Sequence, residues 1–104
     1  MKFLVIAGFK KQAPPVRPTT VKKLFNDMVK LIEQARKAGT ILEMYYIPGY
    51  EKTVTIEEHR NAETLLQNLS GNPMADFIDW EVYPLAENFD ELVKVFVKKF
   101  KAAG

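Results

Sequence analysis

Two carboxylates and a phenol recur at every second position near residue 80: Asp79, Glu81 and Tyr83. Side chains alternate between the two faces of a strand, so this spacing places all three on one face. Two carboxylates in one enclosed site compete for a proton, which suits one of them to general acid or base chemistry near neutral pH. We therefore predict that Glu81 transfers protons and that Asp79 is its electrostatic neighbour. The alternative is that both acids are solvated or hydrogen-bonded at a subunit seam.

A second acid and phenol pair, Glu43 and Tyr45, follows the same alternation in an earlier strand. Together with Tyr83 they are predicted to bind substrate, with the phenols as hydrogen-bond donors. Their alternative role is that of ordinary cross-strand pairs.

The single histidine, His59, follows Glu57 and Glu58 and precedes Arg60. Histidine is the natural proton shuttle near pH 7, so His59 is a further candidate contact for a substrate. The alternative is an exposed loop histidine where the third strand gives way to the second helix.

Composition excludes many kinds of site. The 104 residues predict one domain spanning 1–104, and 47% hydrophobic with 27% charged residues is typical of a globular protein. Zero cysteines exclude disulfides, thiol catalysis and thiolate metal sites, and one histidine excludes a multi-histidine metal site within a subunit. Phosphate-binding glycine loops, nucleophile elbows and dinucleotide fingerprints do not occur. We expect neither a metal nor a cofactor.

The net charge of +2 does not suggest a nucleic-acid partner. No apolar run approaches the roughly 20 residues that cross a bilayer, so no membrane partner is expected and a cytoplasmic location is the default. The unusual region is residues 41–91, which hold eleven acids and two basic residues.

Hydrophobic periodicity predicts the element order β-α-β-β-α-β-α. Strands are expected at 3–9, 41–47, 52–57 and 77–83. The first helix is expected to be capped by Thr19 or Thr20 and to end at Gly39, the second to span about 61–70, and the third to begin after Asn88. The basic, proline-rich loop at 10–18 is interpreted as a connector or as a lid over a cleft.

This order is α+β and ferredoxin-like: a split β-α-β unit with a four-stranded antiparallel sheet and an added C-terminal helix. Two helices cover one face and leave the other open. Alternation predicts two sets on the last three strands. The helix-covered set is Leu42, Met44, Tyr46, Val54, Ile56, Ile78, Trp80 and Val82; the open set is Ile41, Glu43, Tyr45, Ile47, Thr53, Thr55, Glu57, Phe77, Asp79, Glu81 and Tyr83. Apolar residues on an open face favour pairing with a second copy.

Residues 40–85 resemble the muconolactone Δ-isomerase family. The likeness lies in Gly49, in Leu69-Ser70-Gly71 with Pro73, and in Asp79, Glu81, Val82 and Leu85. The resemblance implies a dimeric α/β barrel, in which two sheets pack face to face, and an enzyme of aromatic catabolism that moves a double bond in an unsaturated lactone by a proton shift without a cofactor.

Asp79 and Glu81 occupy the strand that matches the family. Basic and imidazole side chains of the family's first two strands are replaced here by the apolar residues 3–6 and by residues 42–46. Lys10, Lys11 or Arg17 could take over the binding of a substrate carboxylate.

The leading hypothesis is a cofactor-free isomerase acting on a small, partly apolar acid or lactone. Two alternatives stay open: a non-enzymatic small-ligand-binding or oligomerisation module, and a cofactor-free monooxygenase on the same fold.

Overall fold

The computed structural model describes residues 1–12 and 14–103, with the side chains of residues 102 and 103 left out. Residue 13 of the predicted loop 10–18 therefore lies outside the described residues. The elements, in chain order, are β1 (Lys2–Phe9), α1 (Pro18–Lys37), β2 (Ile41–Ile47), β3 (Lys52–Glu58), α2 (Ala62–Ser70), β4 (Ile78–Leu85) and α3 (Phe89–Ala103), with a 3-10 turn at Ala75–Phe77 before β4. The predicted element order is confirmed.

The four strands form one sheet in the order β2-β3-β1-β4, and each neighbouring pair is antiparallel. The predicted α+β, ferredoxin-like class is confirmed. The packing of two such sheets into a barrel stays a prediction. None of the helices in the described part of the chain is long and apolar enough to cross a membrane.

The helices cover the face of β1 that carries Phe3 and Val5, which contact Leu65 of α2. Phe3 and Val5 lie opposite Glu57 and Thr55 in the β1–β3 register. Directly opposed residues share a face. Glu57 and Thr55 are therefore on the helix-covered face, where both are buried.

The predicted faces of β3 were consequently wrong. Thr53, Thr55 and Glu57 lie under the helices, whereas Val54 and Ile56 lie on the open face beside Leu4 and Ile6. Alternation reports which side chains of one strand share a face but not which face that is. The assumption that the apolar set faces inward fails here because both faces of the sheet carry apolar residues.

Three further residues depart from their predicted faces. Ile41 pairs with buried Glu57 and joins the helix-covered face, because the β2–β3 register shifts between Ile41 and Glu43. Leu42, at this irregularity, is 46% exposed. Phe77 lies in the 3-10 turn rather than in β4, and it is buried against Met28.

The core consists of two clusters on the helix-covered face. One joins Met28 of α1 to Met74, Phe77 and Ile78, and the other joins Phe3, Val5 and Leu65. The indole of Trp80 packs against both clusters. The predicted inward position of Trp80 is confirmed.

Asparagine side chains cap two of the helices, and the cap at Asn88 agrees with the predicted start of α3. The Asn61 side chain accepts a hydrogen bond from the backbone N–H of Thr64 at 2.8 Å, and that of Asn88 accepts one from Glu91 at 3.2 Å. The predicted cap of α1 was wrong: the cap residue is Arg17, and Pro18 is the first helical residue. Proline suits that position because its fixed φ matches a helix and its missing N–H would be unpaired there.

The helix α3 does not bury its apolar side. Leu92, Phe96 and Phe100 are 40%, 50% and 73% exposed. The radius of gyration of 17.5 Å exceeds the roughly 13 Å typical of a compact chain of this length. The predicted amphipathic pattern of α3 is present, but the described chain does not cover it.

Candidate active site

A cavity of about 910 Å³ lies between the helix-covered face of the sheet and the two helices α1 and α2. Its volume falls in the range of small-molecule sites, which are concave and mostly apolar. It exists because the helices bury few side chains against the sheet: Met28 is the only buried residue of α1, and Leu65 the only one of α2.

The greater part of the cavity wall is apolar. Met28 and Ile32 line it from α1, and Met44, Ile78 and Trp80 line it from the sheet. These side chains offer apolar contact area to a ligand. Such a wall favours a compact, largely apolar ligand.

The polar side chains of the remaining wall include three that are spaced at every second residue: Thr55, Glu57 and His59. All three are buried, at 7%, 8% and 6% exposure. The Thr55 hydroxyl donates to Oε2 of Glu57 at 2.5 Å, and His59 Nε2 lies 2.9 Å from Oε1 of Glu57. Both carboxylate oxygens of Glu57 are therefore hydrogen-bonded within the protein.

The partners of His59 determine which ring nitrogen is free. A carboxylate only accepts hydrogen bonds, so Nε2 carries the proton that binds Glu57. In the neutral ring Nδ1 is then an unprotonated acceptor. Among the described residues Nδ1 makes only a long contact of 3.5 Å, to the side-chain amide of Asn68. Nδ1 is thus the atom available to take a proton from a ligand.

Local structure holds this ring in place. The His59 backbone N–H donates to the carbonyl of Met1 at 2.9 Å, which extends the β1–β3 pairing by one residue. The His59 ring also contacts Phe3, with ring centroids 6.1 Å apart. Because Asn61 caps α2 directly afterwards, that helix returns over the sheet and places Asn68 beside the imidazole.

The predicted catalytic acids lie on the other face of the sheet. Asp79 and Glu81 are exposed and oppose Gly8 and Ile6 of β1. Tyr83 donates a hydrogen bond of 2.8 Å to Glu81. That hydrogen bond, and secondly the negative charge of Glu81, raise the pKa of the Tyr83 phenol above its usual value.

The site residues predicted from the sequence therefore lie in three separate groups. Asp79, Glu81 and Tyr83 share the open face on β4. Glu43 and Tyr45 share that face but lie on β2, at the opposite edge of the sheet, three strand spacings or about 14 Å away within one chain. His59 belongs to the helix-covered face. Thr55 and Glu57, with which His59 interacts, were missed as site residues, although the alternating Thr, Glu and His were a readable signal.

The basic residues of the loop between β1 and α1 do not reach the cavity. Lys10, Lys11 and Arg17 are exposed and do not line it. Within residues 1–12 and 14–103, no group of three His, Cys, Asp or Glu side chains could hold a metal ion. The chemistry available in the cavity is that of a buried carboxylate, an imidazole and an amide.

Comparison with known proteins agrees with this fold. The model of the family described as muconolactone delta-isomerase matches residues 1–90. The chain belongs to the muconolactone delta-isomerase family. A crystal structure of muconolactone isomerase at 3.3 Å resolution is similar to the chain, with 23% sequence identity and a TM-score of 0.74, covering 85% of this chain and 91% of that chain. At this identity the likeness shows the fold. No curated protein sequence matches significantly.

Family membership confirms the resemblance found in the sequence. It also extends beyond it, because the sequence signal covered residues 40–85 whereas the family match includes β1 and α1.

Proposed function

We propose that this member of the muconolactone delta-isomerase family is a cofactor-free acid/base isomerase of a small unsaturated lactone or organic acid. We place the reaction in the cavity between helices and sheet. One observation carries this placement: the Glu57–His59 pair is buried in the wall of that cavity, with Nε2 and Oε1 2.9 Å apart. A carboxylate that orients an imidazole is a recurrent arrangement for proton transfer.

The proposed reaction is a proton shift between two carbons. His59 Nδ1 takes a proton from the acidic carbon of the substrate, and the electron pair of that C–H bond delocalises through the C=C bond toward the carbonyl oxygen. The carboxylate of Glu57 stabilises the imidazolium formed, and the side-chain amide of Asn68 donates to the developing oxyanion. The imidazolium then returns the proton to the carbon at the other end of this conjugated system. One C–H bond breaks, another forms and the double bond moves.

The earlier placement of this chemistry at Glu81 and Asp79 stays a prediction. It would require a second copy to enclose the open face, because both acids are exposed in the single chain. The two placements use opposite faces of the same sheet, and mutation can therefore separate them.

The test is turnover of muconolactone and related unsaturated lactones, followed by NMR in D₂O so that deuterium marks the carbon that receives the proton. His59→Asn and Glu57→Gln should each lower kcat by about 100-fold or more, the usual contribution of general acid–base catalysis. Glu58→Gln is the matched control, since Glu58 is adjacent to Glu57 but exposed.

Each outcome decides between the proposals. Wild-type turnover by His59→Asn would overturn the cavity placement, and loss of turnover in Glu81→Gln would favour the open face. If calorimetry detects binding of these lactones without any conversion, the protein is a ligand-binding module rather than an isomerase. Products that contain an added oxygen atom would identify the monooxygenase alternative.

We further propose that the open face pairs with a second copy of the chain. Leu4, Ile6, Val54 and Ile56 form an apolar strip across its two central strands, and each is only partly buried. Uncovered apolar surface of this kind favours association.

Analytical ultracentrifugation tests this pairing. Ile56→Lys should shift the protein from dimer to monomer, because it places a charge at the centre of the strip. Leu66→Lys is the control, since Leu66 is 55% exposed on α2 and away from the open face. A monomeric wild type, or a dimer that survives Ile56→Lys, would overturn the proposal.

A further inference from the structure

We infer that the substrate held in the cavity between helices and sheet carries no charge: an unsaturated lactone or a similar conjugated carbonyl compound without a free carboxylate. The inference rests on the proposed function, because it names the substrate class of the same site. It departs from a muconolactone-like substrate, which bears a free carboxylate.

The first observation is the sign of charge in the cavity wall. The wall includes two acids, Glu51 and Glu57, and no lysine or arginine among the described residues. An anionic ligand would lie near the buried carboxylate of Glu57 without a cation to pair with it. Leaving a buried charge unpaired is among the costliest arrangements in a protein interior.

The second observation is that no basic side chain approaches from elsewhere in the chain. All fifteen lysines and arginines are exposed. Those of α1 alternate with the inward residues Met28 and Ile32, so that Lys22, Lys23 and Lys30 are on its outer side. The chain thus keeps its cations out of the site although it has a net charge of +2.

The third observation is that the polar groups in the wall suit a neutral carbonyl compound. The amides of Gln67 and Asn68 line the cavity and can donate hydrogen bonds without carrying charge. Most other lining groups are apolar, including Met44, Ile78 and Trp80. A lactone ring would be bound by apolar contact, with its carbonyl oxygen held by an amide.

A matched ligand pair tests the inference on the wild-type protein. Muconolactone and its methyl ester share the reacting ring and differ in one negative charge at neutral pH. We expect kcat/KM and the binding constant to favour the ester by at least about 100-fold, in keeping with the cost of a buried unpaired charge. Equal or better use of the free acid would overturn the inference and leave the proposed isomerase standing.

A charge-introducing variant gives an independent test. Phe25 lines the cavity and is 43% exposed, so Phe25→Lys puts a cation at its mouth without burying it. This variant should raise the ratio of kcat/KM for the free acid to kcat/KM for the ester by about tenfold. The control is Asn26→Lys, which adds the same charge at an exposed neighbour outside the cavity wall. An equal gain in both variants would overturn the inference, because it would reflect attraction of the anionic ligand to the added charge of the whole protein rather than to a cation at the cavity.

Failure of the proposed function gives a different result. If calorimetry shows that the ester binds and the acid does not, while neither is converted, the ligand class stands and the isomerase proposal fails. If neither ligand binds, the inference is overturned together with that proposal.

Discussion

Glu57 lies in β3 and His59 directly follows that strand, and their side chains meet beneath the helices with Oε1 2.9 Å from Nε2. Their side chains are only 11% and 3% exposed. The arrangement depends on an inversion in β3, whose polar residues face the helices while Val54 and Ile56 face outward. A strand that buries polar side chains destabilises the fold unless those side chains are hydrogen-bonded. Thr55 and His59 provide the hydrogen bonds to Glu57.

The first prediction concerns the stability conferred by this cluster. Glu57→Gln should lower the free energy of unfolding by about 1–3 kcal/mol, because its amide replaces one of the two accepting oxygens with an NH₂ donor that faces the Thr55 hydroxyl or the His59 N–H. Glu58→Gln should cost only about 0–1 kcal/mol, since Glu58 forms an exposed ion pair with the Met1 ammonium at 3.0 Å. Urea denaturation measures the free energy of unfolding of both variants. Equal losses would contradict the assignment of Glu57 as a buried, hydrogen-bonded carboxylate.

A second prediction compares neighbouring leucines of α2. Leu65 is 0% exposed and Leu66 is 55% exposed. Leu65→Ala should cost about 2–5 kcal/mol because it leaves a cavity beside Phe3 and Val5. Leu66→Ala should lie within about 0.5 kcal/mol of the wild type. Chemical denaturation of the two variants checks this, and the reverse order would mean that α2 is rotated about its axis.

The third prediction is a change in the pKa of Tyr83. Glu81→Gln removes the carboxylate that accepts its hydrogen bond, so the pKa of Tyr83 should fall toward its usual value of about 10. NMR titration of the labelled tyrosine ring measures this. Asp79→Asn is the control, because it removes a carboxylate from the same face of β4 but not the hydrogen bond to Tyr83. An unchanged pKa in Glu81→Gln would show that the hydrogen bond does not form in solution.

The same hydrogen bond has a defined effect on stability. The folded-state pKa of Tyr83 is raised. The contribution of this hydrogen bond to the free energy of unfolding is therefore fully present below the unfolded-state pKa of about 10. It is lost as pH rises through the folded-state value. The difference in stability between wild type and Tyr83→Phe should therefore shrink only in strongly alkaline solution.

The fourth prediction concerns the turn between β2 and β3. Gly49 has a φ of +84° with no atom within 4 Å of an added Cβ, so Gly49→Ala should cost about 1–2 kcal/mol through backbone strain alone. Gly71→Ala is the control, because Gly71 caps α2 with a φ of −83°. It should be neutral or stabilising by about 0.4–1 kcal/mol. Thermal unfolding compares them, and equal effects would contradict the left-handed conformation of Gly49.

Local patterns in the chain were sufficient to predict the secondary structure. The apolar spacing of α1, the start of α3 after Asn88 and the hairpin around Gly49 depend on residues near one another in sequence, and the structure agrees with them. The start of α1 differs by two or three residues, because the cap is Arg17 rather than Thr19 or Thr20 and Pro18 serves as the first helical residue.

The faces of the sheet could be predicted only within each strand. On β4 the alternation placed Trp80 under the helices and Glu81 outside, as observed. On β3 it separated the two sets of residues but assigned them to the wrong faces. The register with β1 decides this assignment, and register depends on pairing between residues more than 50 positions apart, such as Phe3 and Glu57.

By itself the sequence determined the order of elements, the family and the absence of cysteine chemistry. The order of elements and the absence of cysteine chemistry follow from residue types and short-range spacing, and the family follows from the resemblance over residues 40–85. Only the tertiary structure brought Thr55, Glu57, His59 and Asn68 together beside an apolar cavity and buried the first three of them. The physical reason is that burial and hydrogen bonding depend on which strands and helices meet. A carboxylate looks the same in sequence whether it faces water or an imidazole.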